Sequence, residues 1–310
     1  MKVASLRLYG SWPGAEGIEL YADHLVLSAR KDALPRLVVV PDKGEGWQVP
    51  VDEGVYSIGT DVNAEYDTGL LRYRFVSFTT PNTTYDLDLA TKQKTLLKRQ
   101  PVKGDFDSAR YVSERVWATA ADGTAIPISV VRRKDVAKDG KAPLFLTGYG
   151  SYGYSYPVTF SGNRLSLLDR GVVFAVAHIR GGGDMGKKWH DAGRMMNKKA
   201  SFTDFITCAE TLIAQGYAAK DRVAINGGSA GGLLMGAVVN ARPDLFHTVI
   251  ADVPFVDVIN TMLDESLPLT VGEFEEWGNP KEKPAYDYML SYSPYDNVKA
   301  QAYPSILVTS

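Results

Sequence analysis

The sequence predicts a mostly parallel, doubly wound α/β sheet preceded by a smaller antiparallel all-β segment. Three observations predict it. Up to about residue 110 the chain reads as short strands punctuated by turns; beyond it, strand-like runs alternate with helical ones; and a glycine-rich turn at 227–231 joins one such strand to one such helix. A chain of 310 residues also has length enough for two domains. The division is placed at 1–110 and 111–310, with the junction near 108–115 and Val116-Trp117-Ala118-Thr119 opening the second domain.

In the first segment, Leu71, Tyr73 and Phe75 alternate with Arg72 and Arg74, the period-two signature of a half-buried strand. His24-Leu25-Val26-Leu27-Ser28 and Leu37-Val38-Val39-Val40 are similar runs. Thr83-Thr84-Tyr85-Asp86-Leu87-Asp88-Leu89 passes through the polar turn Thr91-Lys92-Gln93 into Lys94-Thr95-Leu96-Leu97. Two strand clusters result, near 15–57 and 67–99, spaced like successive propeller blades, although no motif recurs at a fixed offset.

In the second segment the strands are Leu144-Phe145-Leu146, the run 172–177, Val223-Ala224-Ile225 and Thr248-Val249-Ile250-Ala251. Phe202, Phe205, Ile206, Ala209, Leu212 and Ile213 recur at helical spacing, with Ser201 as N-cap and Gly216 as the stop. Strands alternating with helices make a sheet covered on both faces, whose sites gather at the carboxyl ends of the strands.

Composition narrows the function. Hydrophobic residues at 45% and charged residues at 23% describe a globular chain, and 34 basic against 36 acidic residues leave a net charge of −2. No basic field exists to grip nucleic acid or an anionic membrane. The single cysteine, Cys208, excludes a disulfide framework and fits a reducing compartment, so a cytoplasmic location is expected. Met1-Lys2-Val3-Ala4-Ser5-Leu6-Arg7 lacks a signal-type apolar stretch, and no run approaches the roughly 20 residues that span a bilayer.

Gly227-Gly228-Ser229-Ala230-Gly231 follows a strand and precedes the helical run 233–240, the setting of a G-x-S-x-G nucleophile elbow. A sharp turn there projects the Ser229 hydroxyl and aims the Ala230 N–H at a developing oxyanion; side chains at the flanking glycines would collide with strand or helix. Gly148-Tyr149-Gly150 directly follows another strand, where the Tyr149 hydroxyl could supply a second donor; the plainer reading is an aromatic in a tight turn. The fold so described is an α/β hydrolase. Its nucleophile needs an acid and a histidine later in the chain. Only His247 follows Ser229, and Asp244, three residues before it, is poorly placed to orient it. His178 reads as packing, His190 as surface and His247 as solvated. The triad acid and histidine are therefore expected to lie outside this chain, whose last residues, 304–310, read as a strand without a following helix. The chain is expected to be truncated at both ends, to lack a native start at Met1, and to show negligible turnover alone.

Four motifs in order carry a resemblance: Gly148-Tyr149-Gly150-Ser151-Tyr152-Gly153, Ile179-Arg180-Gly181-Gly182-Gly183-Asp184, the Ser229 turn, and Gly272-Glu273-Phe274-Glu275-Glu276-Trp277-Gly278-Asn279-Pro280. With Gln100-Pro101-Val102-Lys103-Gly104 and Tyr292-Ser293-Pro294-Tyr295-Asp296-Asn297-Val298, the chain resembles the prolyl oligopeptidase family of serine peptidases, in particular its oligopeptidase B branch. The resemblance implies a seven-bladed propeller, here its last blades, capping the α/β-hydrolase domain, and hydrolysis of short peptides. It implies Ser229 as nucleophile, Tyr149 and the Ala230 N–H as oxyanion donors, and Glu273 and, following it on an extended segment, Glu275, with Tyr152, as the pocket for a substrate arginine or lysine. The alternative for the acidic run is a solvated loop. Pro157 and Thr159 stand where typical members carry two aspartates, so an apolar second subsite beside Tyr154 and Tyr156 is expected in place of a dibasic preference. Short basic peptides are the expected partners; no metal or organic cofactor is implied. The rivals are an acylaminoacyl-peptidase or esterase on the same scaffold, and a catalytically dead binding module.

Overall fold

The computed structural model describes residues 15–310, so the reading of Met1 to Arg7 lies outside the described residues. The chain divides into two units: Met1–Phe106 with Val158–Phe160, and Asp107–Pro157 with Ser161–Ser310.

The first unit holds two four-stranded antiparallel sheets. Strands β1 (Ala15–Leu20), β2 (His24–Lys31), β3 (Leu34–Pro41) and β4 (Trp47–Gln48) form one; β5 (Tyr56–Thr60), β6 (Leu70–Ser77), β7 (Thr83–Asp88) and β8 (Lys94–Arg99) form the other. The alternation in β6 is realised: Leu71, Tyr73 and Phe75 are buried while Leu70, Arg72 and Arg74 face out. One cluster boundary differs from the sequence expectation, because Tyr56–Thr60 pairs with β6 and so opens the second sheet rather than closing the first. Turn spacing alone leaves a strand's partner open, whereas the register Ile58↔Phe75 puts two apolar side chains on one buried face.

The second unit is a seven-stranded sheet. After β9 (Tyr111–Thr119) and β10 (Ala125–Arg133), an antiparallel pair, come β11 (Leu144–Gly148), helix α1 (Gly162–Leu168), β12 (Val173–Ala177), α2 (Lys187–Asp191) and α3 (Lys199–Ala214). There follow β13 (Val223–Gly228), α4 (Ala230–Ala241), β14 (Thr248–Asp252), α5 (Val258–Leu263), α6 (Phe274–Trp277), α7 (Lys283–Leu290) and β15 (Ser305–Thr309). The spatial order is β15-β14-β13-β11-β12-β10-β9, with β12, β11, β13, β14 and β15 mutually parallel.

The core forms as the apolar periodicity requires. Phe205, Cys208, Ala209 and Leu212 of α3 are fully buried with Leu146, Ile225 and Leu233 in one cluster. The α3 start differs from expectation: Ser201 lies inside the first turn, and its hydroxyl donates to the Arg180 carbonyl at 2.7 Å rather than capping the helix. At the other end Gly216 adopts φ 79°, and the Tyr217 N–H returns to Leu212, the closing turn a glycine permits. Among the described residues no helix is long and apolar enough to cross a membrane.

Strand order positions the site. From β11 the chain moves to β12 on one side and later to β13 on the other, so the β11–β13 boundary is the topological switch point. A crevice opens there at the carboxyl ends of the strands. Gly148 ends β11 and Gly228 ends β13, so Tyr149 and Ser229 flank that crevice.

Candidate active site

Ser229 sits between β13 and α4 at φ 54°, ψ −118°, and its side chain is exposed. Left-handed φ is costly for a residue with a Cβ and persists only where surroundings enforce it. They do so here: the Ser229 N–H donates to Asp252 at 2.9 Å, and its carbonyl accepts from Gly232 at 2.8 Å and Phe255 at 3.1 Å. Gly227 permits the turn, since a Cβ there would lie 2.3 Å from the Gly231 oxygen. Ala230 is the first residue of α4, and an N–H at that position has no intrahelical acceptor. It and the helix dipole favour negative charge beside Ser229.

Tyr149 faces Ser229 across the switch point, its phenol near enough to feel the serine side chain. Burial raises the Tyr149 pKa; the neighbouring Ser229 side chain opposes that rise, while the Glu273 and Glu276 charges add to it. The phenol thus keeps its proton and remains a donor at neutral pH. Gly150, at φ 71° against Ile179, turns the chain away from β11. Tyr152 follows at φ 58°; its ring meets Trp277 edge-on at 5.6 Å, and its hydroxyl lies near the Glu273 carboxylate. Burial, and then the Glu273 charge, push the Tyr152 pKa well up. A cavity of about 750 Å³ opens beside Gly228, walled by Tyr149, Tyr152, Tyr154, Tyr156 and Asn226.

The acidic run is helical rather than extended. In α6 the Trp277 indole donates to Glu273 at 3.0 Å, an i, i+4 contact. One helical turn rotates neighbours about 100° apart, so Glu276 is buried while Glu275 is exposed. The structure brings Ser229, Ala230 and Tyr149 together, and Tyr152 with Glu273; Glu275 stands apart at the surface.

Sequence reasoning missed three further groups. Lys198 is 1% exposed, and its ammonium donates to the Gly150 carbonyl and the Ser151 hydroxyl, each at 2.6 Å. Glu276 accepts from the Tyr152 N–H at 3.0 Å and pairs with His190 Nε2 at 2.6 Å. His190 is therefore not a surface residue of the Lys187-Lys188 run, but lies under Gly153. Reading 274–277 with helical rather than extended period would have turned Glu276 inward; nothing local to Lys198 marks it.

The remaining histidines are committed elsewhere. His178 bonds Asp184 at 2.8 Å and Ser129 at 2.6 Å in full burial, so it is a hydrogen-bonded core residue rather than simple packing. His247 precedes β14 and its N–H pairs with the Val223 carbonyl at the amino end of β13. It is thus a strand length, roughly 15–20 Å, from Ser229. His24 belongs to the first unit.

A model of the prolyl oligopeptidase family matches residues 158–310, and a model of the prolyl oligopeptidase N-terminal beta-propeller domain matches residues 13–100. Together they cover most of the chain. The chain belongs to the prolyl oligopeptidase family. Among relatives, dipeptidyl aminopeptidase BI of Pseudoxanthomonas mexicana is 53% identical over 94% of this chain and 40% of its own length. Protease 2 of Moraxella lacunata is 43% identical over 94% of this chain and 42% of its own. Oligopeptidase B from Trypanosoma brucei, solved with covalently bound antipain, superposes with TM-score 0.89 at 43% identity, covering 95% of this chain and 43% of that one. The chain thus spans about two fifths of the length of the curated relatives it matches. Its second unit is an α/β-hydrolase fold, and its first carries part of the family's propeller.

Proposed function

We propose that Ser229 is the nucleophile of a serine peptidase that hydrolyses short peptides after arginine or lysine through an acyl-enzyme. The observation that carries this reading is the exposed Ser229 side chain, held at φ 54° by backbone bonds and faced by the Tyr149 phenol. Oγ attacks the scissile carbonyl carbon, and the oxygen that gains the charge meets the Ala230 N–H and the Tyr149 hydroxyl. The proton leaves Oγ for a general base and passes to the departing amine; water then releases the acyl group by the reverse sequence. None of this chain's four histidines is placed as that base, so the reading applies to the full-length protein. The chemistry uses no cofactor.

Glu273, beside the Tyr152 hydroxyl and bonded to the Trp277 indole, is the carboxylate assigned to the substrate cation, with the exposed Glu275 as an outer one. A carboxylate on a half-buried wall makes charge-assisted bonds to guanidinium or ammonium. Tyr154 and Tyr156 line the adjoining cavity, which supports an apolar second subsite. The name of the 53% identical relative favours a second reading, release of N-terminal dipeptides. The near-balanced charge and the buried free thiol of Cys208 are in keeping with a cytoplasmic enzyme.

The test measures kcat/KM of the full-length protein on peptides with Arg, Lys or Ala before the cleaved bond, with free or blocked N-termini. Ser229→Ala is expected to abolish turnover, and Glu273→Gln to lower kcat/KM for Arg substrates about 10- to 100-fold without affecting Ala substrates. An unchanged Arg preference in Glu273→Gln refutes the specificity assignment. Cleavage confined to free N-termini selects the dipeptidyl reading.

A further inference from the structure

The least explained group in the second unit is Lys198. It is fully buried at the junction of a 3-10 turn (Met195–Asn197) and the N-terminus of α3, where the helix dipole also opposes a cation. Burial pushes its ammonium down to about 8, against the pull of Glu276. A charge in such a place costs stability unless each of its protons is used. Two of the three are used on one target. Two bonds, to the Gly150 carbonyl and the Ser151 hydroxyl, grip the turn that carries Tyr149 on one side and Tyr152 on the other. The Trp277 ring covers the ammonium at 4.8 Å, and Glu276 Oε1 stands 3.9 Å away.

Glu276 holds the same turn from its other end, through the Tyr152 N–H, while its second oxygen is held by His190. His190 in turn lies under Gly153, where an added Cβ would come within 3.3 Å of its ring. The loop 149–153 has three residues at positive φ, Gly150, Tyr152 and Gly153, and so is not a shape the chain adopts unaided. A cation on its carbonyl and an anion on its N–H oppose its relaxation.

We propose that Lys198 and Glu276, with His190 behind Glu276, are positioning residues that hold the loop 149–153 so that the Tyr149 phenol stays directed at the Ser229 side of the crevice. They touch neither substrate nor the reacting atoms; they fix a donor that does. The inference rests on the reading of Ser229 and Tyr149 given above, and deepens it. A donor to an oxyanion is useful only at hydrogen-bond distance from the developing charge, so the loss falls on kcat more than on KM.

The experiment uses the full-length protein and a peptide substrate it turns over. Removing an oxyanion donor outright costs about 10²–10³ in kcat, so Lys198→Met is expected to lower kcat about 10- to 100-fold with KM within about threefold. In a Tyr149→Phe background the same substitution is expected to cost less than about threefold, because the donor it positions is already gone. Equal losses in the two backgrounds, or a loss confined to KM, overturn the proposal. Ser151→Ala removes one of the two acceptors with little change in volume, and is expected to lose about three- to tenfold in kcat, again only when Tyr149 is present. It decides the question should Lys198→Met fail to fold. A crystal structure of the Lys198→Met protein separates this inference from the functional reading. Absence of Ser229-dependent hydrolysis in the wild type sinks the reading alone; a 149–153 loop and Tyr149 phenol unmoved without the lysine sink the positioning.

Discussion

Replacing Gly227 by alanine puts a methyl carbon 2.3 Å from the Gly231 carbonyl oxygen and 2.7 Å from its carbon. Both are backbone atoms of α4, and the overlap is roughly 1 Å inside contact distance, so no rotamer change relieves it. Overpacking of this kind costs about 1–3 kcal/mol. If the turn opens instead, the bonds from Ser229 to Asp252 and from Phe255 to Ser229 are strained or lost, at about 1 kcal/mol each. Gly227→Ala is therefore expected to destabilise the second unit by about 3 kcal/mol. Gly228, its neighbour, is the internal control. A Cβ there lies 3.4 Å from the Asp252 oxygen and 3.5 Å from its Cβ, which is close but ordinary contact, and its φ is not positive. Gly228→Ala is expected to cost less than about 1 kcal/mol. Urea unfolding followed through Trp189 and Trp277, both buried in this unit, reads the difference. Equal losses at the two positions, or a Gly227→Ala protein within about 0.5 kcal/mol of wild type, refute the steric account of the elbow.

Phe205 is fully buried and its ring lies where a Cβ on Gly148 would stand 3.0 Å away, so Phe205→Ala is expected to cost about 3–5 kcal/mol in the same urea assay. Asp204 is fully buried and accepts three bonds from Arg180, at 3.1, 2.9 and 2.6 Å; Asp204→Ala leaves that guanidinium short of its partner and is expected to cost about 3–5 kcal/mol by thermal or urea unfolding. In the first unit the Arg74 guanidinium holds the Asp61 carboxyl down from 3.8 to about 2. The folded state thus binds its proton later than the unfolded chain, so the pair's contribution is present above pH 4 and is lost as pH falls toward 2. Because Arg74 is largely exposed, water and salt screen the pair and its contribution to stability is small. An NMR titration is expected to find Asp61 near 2 and to see it return toward 3.8 in Arg74→Ala; an unmoved value there contradicts the assignment.

What the sequence determined by itself is what is decided between near neighbours along the chain. The alternation of Leu71, Tyr73 and Phe75 states which face of β6 is buried, because side chains of a strand alternate whatever it pairs with. The helical period of Phe202, Phe205, Ala209 and Leu212 does the same for α3. Gly227 to Gly231 declares the tight strand-to-helix turn at Ser229, since its steric requirement lies within five residues. The tertiary structure alone decided what depends on separate segments meeting. Whether Tyr56–Thr60 closes one sheet or opens the next is a matter of pairing. Tyr149 reaches Ser229 only because β11 and β13 are neighbours at the switch point. The grip on the 149–153 loop spans 48 residues from Lys198 to Gly150 and 124 from Glu276 to Tyr152. A lysine in a polar run carries no local mark of burial, and the helical period that turns Glu276 inward names none of its partners. Their desolvation is offset by partners that only folding supplies, and no pattern along the chain encodes that meeting.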